Sequence, residues 1–165
     1  MILKSLELQG FKSFPDKTQL TFDRGATVVV GPNGSGKSNI SEAMKWVLGE
    51  ISSKSLRGGR MGDVIFGGTD TRRQTGFAEV SVTFDNTDAD GARLATDFDE
   101  VTVTRRYYRT VVSEYFINAN PARLRDIHEL FMNTGIGREG YSIIGQGKIA
   151  EINTRKSDER RAIFE

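Results

Sequence analysis

The chain has 165 residues, of which 37% are apolar and 9% aromatic, enough for one domain with a buried core. Lys and Arg number 23 against 22 Asp and Glu, so bulk charge gives no argument for nucleic acid, although a local basic face stays open. With no cysteine and one histidine, a disulfide framework, a zinc ribbon, a thiol nucleophile and His-rich metal chemistry are set aside, and any metal should be a hard ion held by oxygens and phosphates.

The N-terminus alternates polar and apolar residues and lacks the basic start and apolar block of a signal peptide. No apolar run approaches the ~20 residues of a membrane span. The expected class is a soluble, intracellular protein. Ile2 to Gln9 alternates and predicts a strand, broken by Gly10. Phe11 to Pro15 is a short loop, and Lys17 to Asp23 alternates again as the return strand of a hairpin-like pair. Ala26 to Val30 contains the continuous run Val28-Val29-Val30, which predicts a strand buried on both faces.

Lys37 to Leu48 carries apolar residues at Ile40, Ala43, Met44, Val47 and Leu48, the spacing of one helix face, with Gly49 as its stop. Phe77 to Phe84 and Val101 to Tyr108 predict half-buried strands. The polar segment Asp85 to Gly91 between them is a poor place for core. Ser113 to Asn118 predicts a short strand. Pro121 to Met132 predicts a helix with Pro121 near its first turn. Tyr141 to Ile144 predicts a brief strand followed by Gly145-Gln146-Gly147. Ser157 to Glu165 opens like a helix with Ser157 as N-cap and acids in the first turn, and shows no stop signal, so the native chain is expected to continue.

The chemistry is carried by Gly31-Pro32-Asn33-Gly34-Ser35-Gly36-Lys37-Ser38, which matches the phosphate-loop pattern G-x-x-x-x-G-K-[S/T]. Its glycines let the backbone curl until several N–H groups face inward. A polyphosphate then sits at a helix N-terminus whose dipole favours negative charge. Lys37 supplies a point charge for the β- and γ-phosphates, and the Ser38 hydroxyl suits Mg²⁺. The expected ligands are ATP and Mg²⁺. Hydrolysis also needs a carboxylate at the end of an apolar strand. The nearest candidate, Val80 to Asp85, alternates and suits a half-exposed strand instead.

The segment Gly31 to Asn39 resembles the phosphate loop of the ABC-type ATPases of the SMC (structural maintenance of chromosomes) family. Leu8 to Phe14, Ala43 to Glu50, Leu56-Arg57-Gly58, Asp63 to Gly68 and Gly140 to Ile149 resemble further motifs of that family in order. Arg160 to Glu165 resembles the start of its coiled coil. The resemblance runs nearly end to end, is weakest over about Asp85 to Asp99, and is nearest to bacterial chromosomal SMC proteins.

It implies an α/β, ABC-type P-loop head. Residues 1–155 would form its N-terminal lobe, a mixed β subdomain plus the P-loop core, with 156–165 starting a coiled-coil helix. It implies catalytic roles for Lys37, Gln146 and Arg57. Gln146 would reach Mg²⁺ and the attacking water, and Arg57 would lie near the phosphates, in a position to link DNA to hydrolysis. Lys12, Ser13, Pro32, Asn33, Gly34, Ser35, Gly36, Lys37, Ser38 and Asn39 would line the nucleotide, with Ser38 and Gln146 at the metal. The implied partners are the chain's own C-terminal head half, a second SMC subunit, a kleisin-type subunit and DNA bound without sequence preference, in the cytoplasm at the nucleoid. The signature serine, Walker B aspartate and catalytic glutamate would lie in the C-terminal half, so the segment alone is expected to lack turnover.

Several residues carry plainer readings. Gln146, Arg57 and Lys12 also suit ordinary loop positions, and Asn33 suits turn geometry. Trp46 is expected to pack, and His128 to be an ordinary helix residue. Arg105, Arg106 and Arg109 read either as solvated charges guarding an edge strand or as a DNA-backbone surface, with Arg105 and Arg109 on one face and Arg106 on the other. The rival functions are a DNA-repair relative with the same head, a DNA-binding or assembly module whose P-loop is only structural, and a P-loop kinase or GTPase.

Overall fold

A computed structural model describes residues 1–87, 93–132 and 134. Its centre is a six-stranded sheet in the order β2-β1-β3-β4-β5-β6, antiparallel throughout. The strands are β1 (Ile2–Gln9), β2 (Thr18–Thr21), β3 (Phe77–Asp85), β4 (Glu100–Tyr108), β5 (Ser113–Ile117) and β6 (Asn120–Ala122). Helix α1 (Lys37–Val47), a 3-10 turn (Met61–Val64) and helix α2 (Leu124–Phe131) complete the described elements.

Alternation along β3 and β4 sends every second side chain to the covered face. Leu6, Val82, Val103 and Ile117 form one cross-strand row, and Leu8, Val80, Arg105 and Tyr115 form the next. Ala43, Trp46 and Val47 of α1 pack on this face, and all three are fully buried. Burying a side chain the size of Val47 or larger contributes about 1.5–3 kcal/mol. Ile127, Leu130 and Phe131 of α2 cover the same core, with Phe131 edge-on to Phe84 at 5.5 Å. On the opposite face, hydroxyls pair across strands, Ser81 with Thr104 at 2.7 Å and Thr83 with Thr102 at 3.0 Å.

Helix α1 stops where the sequence predicts. Gly49 has φ 110°, its N–H donates to the Trp46 carbonyl, and the Glu50 N–H donates to that of Lys45. This pairing closes the helix end with a glycine at the left-handed position.

Two expectations are corrected. Val28, Val29 and Val30 form no strand and are 79%, 46% and 83% exposed. The sheet already runs from edge to edge without them. An apolar run reports what a segment would bury, not which partner would bury it. Pro121 lies in β6 rather than in a helical turn, opposite Phe116. Asn118 and Ala119, at φ 48° and 64°, make a tight hairpin turn there, and an edge strand tolerates a residue with no N–H to donate. Helix α2 therefore starts at Leu124, where the Asp126 carboxylate accepts the Arg123 N–H at 2.8 Å. The polar segment after β3 adds none of its described residues to the apolar core, but its Asn86 is fully buried. It donates to the Phe98 carbonyl at 2.9 Å and accepts the Leu94 N–H at 2.8 Å, so its buried polar groups are paired. Gln146, the 141–144 strand and the 157–165 helix lie outside the described residues.

Candidate nucleotide site

The phosphate loop enters α1 through Gly36, the helix N-cap, at φ 91° with no side-chain cap and no acid in the first turn. Nothing negative in the first turn thus competes for its N-terminal dipole. The Lys37 ammonium donates to the carbonyls of Gly31 and Pro32, both at 2.6 Å. Two of its three donors thereby close the loop on itself, leaving one for an anion. Glycine is required at two places. Gly34 has φ 83°, and a Cβ on Gly36 would stand 2.8 Å from Ser13 Oγ and 3.3 Å from the Phe14 ring. The 11–14 loop therefore lies directly against the phosphate loop.

That loop is pinned from both sides. The Phe11 N–H donates to the Phe14 carbonyl at 3.1 Å, and the Lys12 N–H donates to that of Val64 at 2.7 Å. Phe11 is fully buried against Trp46, ring centres 5.4 Å apart. Ser13 Oγ accepts from Asn39 Nδ2 at 2.8 Å, and Asn39 Oδ1 accepts from Arg57 at 3.4 Å. The structure thus brings together Lys12, Ser13, Gly36, Asn39 and Arg57, five residues singled out from sequence. Pro32, Asn33, Gly34, Ser35 and Ser38 line the exposed side of the loop.

The sequence reading missed Glu42. Its carboxylate is buried, one oxygen accepting from Lys12 and the other from Arg57 Nε. The signal was there. Glu42 precedes Trp46 by one turn on the same helical stripe, so a buried Trp46 draws Glu42 inward, and an inward acid needs cations.

The segment after Arg57 is held by Asp63. Its carboxylate accepts the N–H groups of Gly59 at 2.7 Å and Arg60 at 2.8 Å. The Arg60 and Gly59 bonds hold its carboxyl below the usual range.

Arg105 fits neither of its two readings, because it points to the covered face of β4, an interior strand, whereas Arg106 is half-buried and Arg109, just past β4, is exposed. Arg105 is 3% exposed and lies between the Trp46 and Tyr115 rings, at 4.6 and 5.0 Å. It donates to the carbonyls of Trp46 at 2.9 Å and Glu50 at 2.8 Å, closing the C-terminal end of α1. Burial lowers its pKa, opposed by Tyr115, Tyr107 and Glu50. Arg106 pairs with Glu79, and Arg109 donates to the carbonyls of Thr75 at 2.7 Å and Phe66 at 3.0 Å. Trp46 packs as expected. Among the described residues no cluster of acids or His128 is arranged to hold a metal.

A glycine loop closed by its own lysine at the start of an uncapped helix, set on a sheet-and-helix lobe, defines a P-loop nucleotide-binding protein. The chain belongs to the family described as the RecF/RecN/SMC N terminal domain, whose model matches residues 2–153. It is 58% identical over its whole length to the Chromosome partition protein Smc of Clostridium kluyveri (strain NBRC 12016), and spans 14% of that relative. A structure from work on ATP-driven dimerization and DNA-stimulated activation of SMC ATPases matches with a TM-score of 0.90 at 36% identity, covering 99% of this chain and 98% of the other. An Smc head bound to the C-winged helix domain of ScpA matches with a TM-score of 0.91 at 37% identity, covering 99% of this chain and 50% of that one. The fold is the N-terminal lobe of an ABC-type ATPase head of the SMC family.

Proposed function

We propose that this chain is the ATP-binding half of an SMC ATPase head. Joined to a C-terminal half, it dimerises on ATP and hydrolyses it to drive DNA entrapment, chromosome condensation and segregation. The observation that carries the reading is the Lys37 ammonium seated on the Gly31 and Pro32 carbonyls at the mouth of an uncapped helix. That arrangement fits a polyphosphate: the loop amides and α1 N-terminus bind it, and Lys37 carries the charge of its terminal phosphates. Mg²⁺, when bound with the nucleotide, supplies Lewis-acid stabilisation of charge on the phosphate oxygens. Ser38 and Gln146 are the residues proposed to hold it, Ser38 by its position directly after Lys37.

Residues 1–155 are proposed as the lobe and 156–165 as the start of a coiled coil. The exposed Val28–Val30 run is proposed to find its cover on the C-terminal half. The related head structures support two partners, a second head for ATP-driven dimerization and ScpA, which stands for the kleisin-type subunit of the sequence reading. No helix among the described residues is long and apolar enough to cross a membrane, and a nucleoid-associated place in the cytoplasm is proposed with the function. The reading of the chain as a DNA-binding module with a merely structural P-loop finds no support in Arg105, which is buried and bonded to the carbonyls of Trp46 and Glu50.

The test is binding of a fluorescent ATP analogue with Mg²⁺ to the full-length protein and to Lys37→Ile. Loss of binding in the variant is expected, and unchanged affinity would refute the phosphate-loop assignment. Duplex DNA binding titrated with salt, with and without ATP, tests the module reading. DNA binding indifferent to both ATP and Lys37→Ile would favour the module.

A further inference from the structure

Lys12 and Arg57 come from loops on either side of α1, and both have left-handed backbones, at φ 47° and 50°. That conformation is disfavoured for residues with a Cβ and persists where the surroundings impose it. Here both side chains end on Glu42, whose side chain is 6% exposed. Lys12 also donates to the Leu56 carbonyl, beside Arg57, so the two loops are stitched together through the second turn of α1. One buried carboxylate against two cations leaves a local surplus of one positive charge, and Lys37 on the adjoining loop adds another. A structural ion pair would balance its charges to offset desolvation. A surplus beside a phosphate loop instead suits an anion.

Arg57 is turned to use it. Its Nε is taken by Glu42 and one terminal nitrogen reaches Asn39 Oδ1 at 3.4 Å, while the side chain stays 55% exposed. Asn39 in turn bonds Ser13, which lies against Gly36. The guanidinium is thereby joined to the phosphate loop by a short chain of contacts, with donors to spare on its exposed side.

We propose that Glu42 is a positioning residue of the phosphate site: its single carboxylate holds Lys12 and Arg57 beside the loop and aims the donors it leaves free at the nucleotide's phosphates. This rests on the nucleotide reading above and adds to it the residue that sets Arg57.

The experiment compares wild type, Glu42→Gln, Arg57→Ala and the double variant in the full-length protein. It measures analogue binding, steady-state ATP turnover, and the rate at which phenylglyoxal modifies Arg57 in the nucleotide-free protein, read by peptide mass spectrometry. Glu42→Gln is expected to weaken analogue binding less than Lys37→Ile does, because Lys37 and the loop amides stay in place, and to lose turnover on the order of tenfold to a hundredfold, the cost of a misplaced group. Arg57 should be modified faster, and the double variant should lose less turnover than the product of the two single losses, since Glu42 acts in part through Arg57. Normal turnover in Glu42→Gln, or losses that multiply in the double variant, would overturn the proposal. If Glu42→Gln does not fold, Glu42→Gln/Lys12→Met removes the buried charge together with its buried partner. It should fold yet keep the turnover defect, and recovery of turnover would overturn the proposal. A wild-type protein that binds no analogue would overturn the nucleotide reading and this proposal together, whereas binding with normal Glu42→Gln turnover would overturn this proposal alone.

Discussion

Replacing Arg105 with methionine takes a guanidinium out of the covered face of the sheet while keeping most of its volume. Three hydrogen bonds disappear, to the Trp46 carbonyl at 2.9 Å, to the Glu50 carbonyl at 2.8 Å and, longer, to Ser113 Oγ at 3.5 Å. Bonds from a charged donor contribute about 1.5–3 kcal/mol each. Stacking of the cation between Trp46 and Tyr115 adds roughly 0.5–2 kcal/mol. Against these losses, methionine avoids the cost of desolvating a charge. The net expectation is a destabilisation of about 2–4 kcal/mol, in the range seen when a buried bonded network is broken. Urea unfolding followed by the fluorescence of Trp46, the chain's single tryptophan, measures it at the ring Arg105 stacks on. Arg105→Lys separates charge from shape. Lysine keeps the charge but has neither the planar fork nor the stacking surface, so it should recover less than half of the loss. A change below about 0.5 kcal/mol in Arg105→Met, the size of an ordinary surface substitution, would refute the assignment of Arg105 as the clamp between α1 and the sheet.

Gly36→Ala places a Cβ at φ 91°, 2.8 Å from Ser13 Oγ, and should weaken ATP-analogue binding by about tenfold or more through a loop of altered curl, measurable by fluorescence titration. Asn86→Ala removes the buried amide that pairs with Leu94 and Phe98 and should cost about 1–3 kcal/mol in the same urea experiment. Asp63 has a depressed carboxyl pKa, caused first by the Arg60 N–H and then by that of Gly59. Its contribution is complete above the ordinary carboxylate value and is lost as pH falls through the depressed one. The amide signals of Gly59 and Arg60 should therefore titrate together in acid, and Asp63→Asn should abolish that shared step.

Much of the site was legible because it is local. The spacing of Gly31, Gly36, Lys37 and Ser38 dictates a curled loop ahead of a helix whatever packs around it, and the structure places the Lys37 ammonium on that loop. The strand β1 and the stop at Gly49 were equally readable, since alternation and a left-handed glycine act within a few residues of the chain. Only the tertiary structure decided where charge goes once the chain is packed. Arg105 looked like a surface cation because periodicity assigns a residue to a face without saying what covers that face. Trp46 and the carbonyls at and just past the end of α1 turned the position into a cation's site. For Glu42 the helical stripe signalled an inward acid but not its partners, since Lys12 and Arg57 lie 30 and 15 residues away and meet it only when two loops close over one helix. Short-range geometry was thus settled by residue order, while the balance of buried charge was settled by contacts between distant segments, where removal from water makes an acid's partners decisive.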